Sequence, residues 1–182
     1  MNVLDIVQNS LKAKAALVTV SITRDTGRER LLVSITDDGC GMTKEQAKQV
    51  TNPFFTTRTT RKVGLGVPFF KMSAEITGGT FEIKSRPGKG TVIKAEYCYK
   101  HIDMLPLGDM AATMVTLISA NPDVDFVYRY ETDQKGFTLD TREVRQILEG
   151  LPLNAPEVVK FIRDYITENQ SEIDRTNENN SN

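Results

Sequence analysis

The sequence predicts an α+β fold: a two-layer sandwich in which a mixed, mostly antiparallel sheet carries its helices on one face. Three observations lead there. Two pairs of segments, 16–23 with 31–37 and 80–85 with 90–99, alternate apolar and polar residues across short turns. A period of two marks a half-buried strand, and the short turns make each pair a hairpin. Helical spacing flanks the first pair, at 3–14 and 67–76. The order helix, hairpin, short helix, loop, helix, hairpin packs helices against one sheet face.

In the first helix Val3, Leu4, Val7 and Leu11 recur at core-facing spacing. Asp5, Asn9 and Lys12 fall at i, i+4 and i+7 on the opposite face. That stripe reads either as a solvated face or as a set for a polyanion, with the amide oxygen on Mg²⁺ and the lysine on phosphate. In the first hairpin Val18, Val20 and Ile22 point one way, as do Leu31, Val33 and Ile35, around the turn Arg24-Asp25-Thr26-Gly27-Arg28. Asp37-Asp38-Gly39-Cys40-Gly41-Met42 follows directly. An acid at a strand end can accept from an amino group, and two spaced glycines let a flat ligand approach. Tight turns use the same residues. Cys40 reads as a small turn residue or as a redox-sensitive thiol. Thr43 caps a short helix over 43–50.

Residues 52–66 are rich in hydroxyls and positive charge and are expected to form a mobile loop. Gly64-Leu65-Gly66 then opens the helix Val67 to Ile76, with Pro68 in its first turn. A glycine loop feeding a helix N-terminus is an anion site or an ordinary helix entry. Gly78-Gly79 ends this helix, and Arg86-Pro87-Gly88-Lys89 joins the strands of the second hairpin.

Composition narrows the function. At 182 residues the chain suits one domain, or one with a small appendage. Hydrophobic content of 39% is enough for a core. With 23 basic and 24 acidic residues the formal charge is −1, which argues against a dedicated nucleic-acid binder. No apolar span or signal peptide points to a membrane. Cys40 and Cys98 lack a metal-like spacing and suit a reducing cytosol, so a cytoplasmic location is expected. His101 is the single histidine, which excludes most His-based metal sites.

Together these segments resemble the ATP-binding domain shared by DNA gyrase, the ninety-kilodalton heat-shock chaperones, histidine kinases and MutL. Asp5-Ile-Val-Gln-Asn9-Ser-Leu-Lys12 resembles the N box, and Asp37-Asp38-Gly39-Cys40-Gly41 the first glycine box. Pro53-Phe54-Phe55-Thr56-Thr57-Arg58 resembles the F box. Gly64-Leu65-Gly66-Val67 with Lys71 resembles the second glycine box, and Gly88-Lys89-Gly90-Thr91 the last pattern of the family. Each motif is weak alone, but five in order over about 90 residues are specific. The F box and the second glycine box are most like those of sensor histidine kinases.

The resemblance implies a Bergerat-type ATP-binding fold over 1–100, with ATP and Mg²⁺ as ligands. It implies that Asn9 holds Mg²⁺ and that Asp37 accepts from the adenine amino group with Thr91 assisting. Gly39 and Gly41 shape the adenine floor. Lys12, Thr57, Arg58, Gly64, Leu65, Gly66, Val67 and Lys71 belong to the ATP site, and 52–66 is its lid. Hydrolysing relatives and anti-sigma kinases place a glutamate four residues before the asparagine as general base. Here that residue is Asp5, shorter by one methylene. It acts as a base, polarises water, or only orients Lys12. His101 lies five residues before Pro106, as in acceptor motifs, but lacks the following acid and reads as a strand-exit residue.

Residues 101–168 are expected to form a small α-β-β-α-α appendage, large enough to pack a small core against the ATP domain. Its helix over 108–120 contributes Met110, Met114, Leu117 and Ile118 to that core or to a partner surface. A hairpin spans 125–139, and its last helix carries Val158, Val159, Ile162 and Ile166. Residues 169–182, rich in Asn, Glu and Ser, are expected to be disordered. The layout resembles a stand-alone bacterial ATP-binding protein without a phospho-acceptor domain. It implies a signalling protein kinase or ATPase whose acceptor is a separate protein, with a non-catalytic nucleotide sensor as the alternative.

Overall fold

The computed structural model describes residues 3–52, 65–133, 135–148 and 150–180, with side chains to 176. The elements are α1 Val3–Lys12, β1 Leu17–Asp25, β2 Arg30–Asp37, α2 Lys44–Val50, α3 Gly66–Ile76, β3 Thr80–Arg86 and β4 Gly90–Cys98. They continue with α4 Met110–Ala120, β5 Asp125–Thr132, β6 Lys135–Asp140, α5 Thr141–Ile147 and α6 Pro156–Asn180. The strands form one sheet in the order β3-β4-β2-β1-β5-β6. β1 and β5 run parallel, and every other neighbouring pair is antiparallel.

Alternation sets the inner face. Val18, Val20 and Ile22 are fully buried, and Leu31, Val33 and Ile35 join them from β2. Ile93, Ala95 and Tyr97 extend that face on β4, and Phe126, Tyr128 and Tyr130 on β5. The intervening residues, such as Ser21, Ser34, Lys94 and Arg129, fall on the outer, polar face. Val7 of α1, Phe70 of α3, Met114 of α4 and Ile162 of α6 belong to the same core cluster as those strands. Each such side chain contributes about 1.5–3 kcal/mol by leaving water.

Two details of α1 differ from the sequence reading. The buried stripe of α1 is Val3, Ile6, Val7 and Ser10, while Leu4 and Leu11 pack on its flank. The helix ends at Lys12 because Lys14 turns left-handed, at φ 57°. The appended residues pack into the same core as the first hundred. β5 joins the edge of β1, with Val18 opposite Phe126 and Ile22 opposite Tyr130, and one core runs under all six strands.

The expected disordered tail is helical through Asn180. Ile173, seven residues after Ile166, is buried on the same stripe, and Asp174 accepts from the Tyr130 hydroxyl at 2.6 Å. A polar composition hid one apolar residue at the right spacing.

Candidate functional site

The turn after β2 is tied to the protein on three sides. Asp38 Oδ1 accepts from the backbone N–H of Ala16 at 2.8 Å and of Leu17 at 2.9 Å, so this second acid anchors the start of β1. The Cys40 N–H donates to the Ala13 carbonyl at 2.9 Å, linking the turn to the end of α1. The Cys40 carbonyl accepts from Gly88 N–H at 2.7 Å, linking it to the β3–β4 hairpin. Gly41 sits at φ +65°, and a Cβ there would lie 2.0 Å from the Arg86 carbonyl oxygen. The turn therefore requires glycine whether or not a ligand is bound.

Asp37 is the acid that remains for chemistry. It is 9% exposed, and its two oxygens have different partners. Oδ2 accepts from Ser10 Oγ at 2.7 Å, and Oδ1 accepts from Gly39 N–H at 3.0 Å. In the β2–β4 ladder Asp37 lies directly opposite Thr91. Thr91 in turn lies opposite Ser85 of β3, with their hydroxyl oxygens 2.9 Å apart. Asp37, Ser85 and Thr91 line a cleft of about 870 Å³ between the sheet, α2 and α3. Lys44, Lys48, Lys71 and Lys89 also line it, with Glu75, so its walls are mainly basic around the carboxylate of Asp37. Lys71 is 3.8 Å from Glu75 in an exposed i,i+4 pair.

None of the other predicted residues that are described lines this cleft. Asp5, Asn9 and Lys12 share one face of α1. Lys12 is exposed, and neither its ammonium nor the Asn9 amide bonds to a described residue. Asp5 and Gly66 line a second cavity of about 640 Å³, with Phe69, Met72 and Leu105. A Cβ on Gly66 would sit 2.8 Å from the Cβ of Asp5, so α3 begins hard against α1. Leu65 is the N-cap of α3, exposed and without a side-chain cap, which leaves the first backbone N–H groups available to an anion. Val67 is 1% exposed and is a core residue, so only its backbone can face a ligand. Thr57, Arg58, Gly64 and most of the expected lid lie outside the described residues. His101 is exposed in the turn after β4, where its Nδ1 accepts from Asp103 N–H.

Two residues of the site went unread in the sequence. Ser10 was visible as the polar member of the 3, 6, 7, 10 spacing, and Ser85 as the third inward residue after Phe81 and Ile83. Among the described residues no three His, Cys, Asp or Glu gather as a metal site. A lone amide oxygen beside phosphates is the donor set Mg²⁺ accepts, since that ion keeps several waters and takes few protein ligands.

The family model for histidine kinase-, DNA gyrase B- and HSP90-like ATPases matches residues 2–100. Sensor protein DegM of Bacillus sp. (strain B21-2) is 33% identical over 90 residues, covering 50% of this chain and 24% of that protein. Sensor histidine kinase ZraS of Klebsiella oxytoca is 37% identical over 79 residues, 43% of this chain and 17% of that one. Sporulation kinase C of Bacillus subtilis is 31% identical over 93 residues, 50% and 21% respectively. The chain thus spans a quarter or less of the length of these relatives. The nucleotide-free catalytic domain of histidine kinase ThkA superposes with a TM-score of 0.39 at 26% identity, over 51% of this chain and 60% of that domain. No described helix is long and apolar enough to cross a membrane.

Proposed function

The chain belongs to the histidine kinase-, DNA gyrase B- and HSP90-like ATPase family, and from that membership we propose that it binds Mg-ATP as a signalling protein kinase or ATPase working on a separate partner protein. The observation that carries the reading is Asp37 opposite Thr91 at the floor of the cleft of about 870 Å³. That volume lies within the range of small-molecule pockets. A fixed carboxylate there accepts from the adenine amino group. The basic walls of the cleft suit a polyphosphate, and the uncapped start of α3, which lines a different cavity with Asp5, is a second place where an anion can be held. Asn9 would hold Mg²⁺, which when bound offsets charge on the phosphates. Lys12 would add a second positive charge. Thr57, Arg58 and Gly64 are assigned to the phosphates by the motifs alone. Asp5 would take the proton of the attacking group.

Calorimetry tests the binding. Affinity for ATP at millimolar nucleotide or below, strengthened by Mg²⁺, is expected; no heat at that concentration would sink the reading. Transfer of labelled phosphate from ATP into a lysate then separates kinase from ATPase. A labelled protein is the kinase result, and free phosphate alone is the ATPase result.

A second reading has its own observation. Asp5 is shorter than the glutamate of hydrolysing relatives, and Gly66 packs close against its Cβ. It also lines a different cavity from Asp37. A nucleotide sensor that switches a partner without phosphoryl transfer fits both facts. Equal turnover, or none, in wild type and Asp5→Asn supports the sensor. A large loss in the variant supports catalysis.

A further inference from the structure

Buried polar side-chain atoms without a hydrogen-bond partner gather in one place among the described residues, where β1 and β5 end side by side. They are Arg24 Nε, the Tyr128 hydroxyl and the Thr132 hydroxyl. In the β1–β5 ladder Val20 lies opposite Tyr128, Ile22 opposite Tyr130 and Arg24 opposite Thr132. The period of two puts all of them on the inner face, and Tyr128 and Thr132 are fully buried there. The other end of β1 meets the glycine turn, with Val18 opposite Asp37. Arg24, six residues further on, therefore stands about 20 Å from the cleft floor.

One acid from the tail reaches this cluster. Asp174 Oδ1 accepts from the Tyr130 hydroxyl at 2.6 Å and lies 3.6 Å from Arg24 Nη1. The guanidinium is also held over the Tyr99 ring, 5.3 Å from its centroid. Donors exceed what Asp174 answers: the Arg24 Nε–H and the Tyr128 and Thr132 hydroxyl protons are left over. A guanidinium can only donate, and each hydroxyl can turn its proton toward an acceptor. The complement of such a set is an anion with several lone pairs. A carboxylate has about four acceptor sites on two oxygens, enough to answer all of these groups from one position.

We propose that Arg24, Tyr128, Tyr130 and Thr132 form a carboxylate-binding site, and that the C-terminal helix is latched to the sheet by seating Asp174 in it. Ile173 is the apolar half of the latch, 6% exposed beside the acid. The site opens to water on the tail's side, where the side chains of Arg24 and Asp174 are 37% and 41% exposed. A carboxylate from solution can therefore enter once Asp174 is gone. The buried donors that Asp174 leaves unanswered weaken the closed state, so the tail end of α6 opens locally, below the free energy that unfolds the sheet.

The test is amide hydrogen exchange on the whole chain, read separately for residues 167–176 and for β5. Asp174→Ala is expected to lower protection of the tail by about tenfold or more, the scale of hydrogen bonds to a charged group, and to leave β5 within about twofold. Acetate carries the group that this variant lacks. At about 0.2 M it is expected to restore tail protection about threefold or more over chloride at equal ionic strength, by mass action. Wild type should show no such response. Tyr128→Phe is expected to change the wild-type tail by less than about twofold, because that hydroxyl has no partner there. Combined with Asp174→Ala, it should remove most of the acetate effect.

Unchanged tail protection in Asp174→Ala overturns the proposal. So does an equal loss in the tail and in β5, because a single global opening has no latch. Restoration by chloride as well as by acetate, or by neither, overturns the carboxylate site, since screening has no preference for a carboxylate. If Asp174→Ala does not fold, Asp174→Asn, which keeps the shape and loses the charge, decides by the same comparison of tail with β5.

Discussion

The turn after β2 and the aromatic cluster on β5 and β6 stand on one sheet and are built in opposite ways. At the turn, Asp37, Ser85 and Thr91 bond to the protein on one side and face a cleft on the other. On β5 and β6 the rings close on each other. Phe137 meets Tyr128 and Tyr165 edge-on, with centroids 5.8 and 5.9 Å apart. Tyr130 spends its hydroxyl on Asp174, and Tyr128 is enclosed with no partner for its hydroxyl among the described residues.

What differs is the covering helix. α2 buries none of its residues, so a gap persists between it and the sheet. α6 lays Val158, Ile162, Ile166 and Ile173 into the core. The same inward alternation therefore floors an open cleft in one place and makes a seal in the other. Recognition needs polar groups that the protein leaves partly unanswered, whereas a seal gains its stability from the apolar area it removes from water.

The largest expected effect sharpens that contrast from the sealed side. Phe126→Ala removes a fully buried ring and is expected to destabilise the fold by about 3–5 kcal/mol. Urea unfolding measures it, and a change below about 1 kcal/mol would mean that β5 is not part of the shared core. Ile173→Ala comes next, at about 2–4 kcal/mol if the helical tail is packed as described. A chain ending before residue 169 should lose comparable stability, and no loss would return those residues to a solvated tail.

Asp37→Asn breaks the contrast from the open side. It is expected to weaken ATP by about 10- to 100-fold, the scale of a hydrogen bond to a charged group. Its melting temperature should move far less than that of Phe126→Ala. A variant that unfolds instead would make Asp37 a structural acid like Asp38.

The smallest effect is absent at neutral pH. Burial holds the Tyr97 and Tyr130 phenols up at about 12, with Asp174 adding to the shift of Tyr130, against 10.0 for an ordinary tyrosine. Burial pushes the Tyr128 phenol up as well. A raised pKa means that the fold holds the proton more tightly than the unfolded chain. That contribution is whole below pH 10 and is lost as pH rises through about 12. Tyrosine ionisation followed by ultraviolet absorbance should coincide with loss of helix signal. Ionisation near pH 10 with the helix signal intact would show these rings to be open to solvent.

Much of this was legible in the chain. Alternation identified both hairpins and their inward residues, because a half-buried strand must alternate. The spacing of Val158, Ile162 and Ile166 identified the last helix, and only its composition concealed the continuation to Ile173. Within the glycine turn the two acids looked equivalent. Asp38 is tied to the backbone of Ala16 and Leu17, while Asp37 turns inward, and that division depends on α1 and β1 arriving beside the turn.

The sequence by itself determined the elements, the family and the identity of the residues at the end of β2, since these follow from local periodicity and from motifs in order. Tertiary structure alone decided that β5 runs parallel beside β1, that Thr91 stands opposite Asp37, and that Ser10 donates to that carboxylate. A period reports which way a side chain points. Which strand lies alongside it is chosen by long-range pairing and by the helices that cover the sheet.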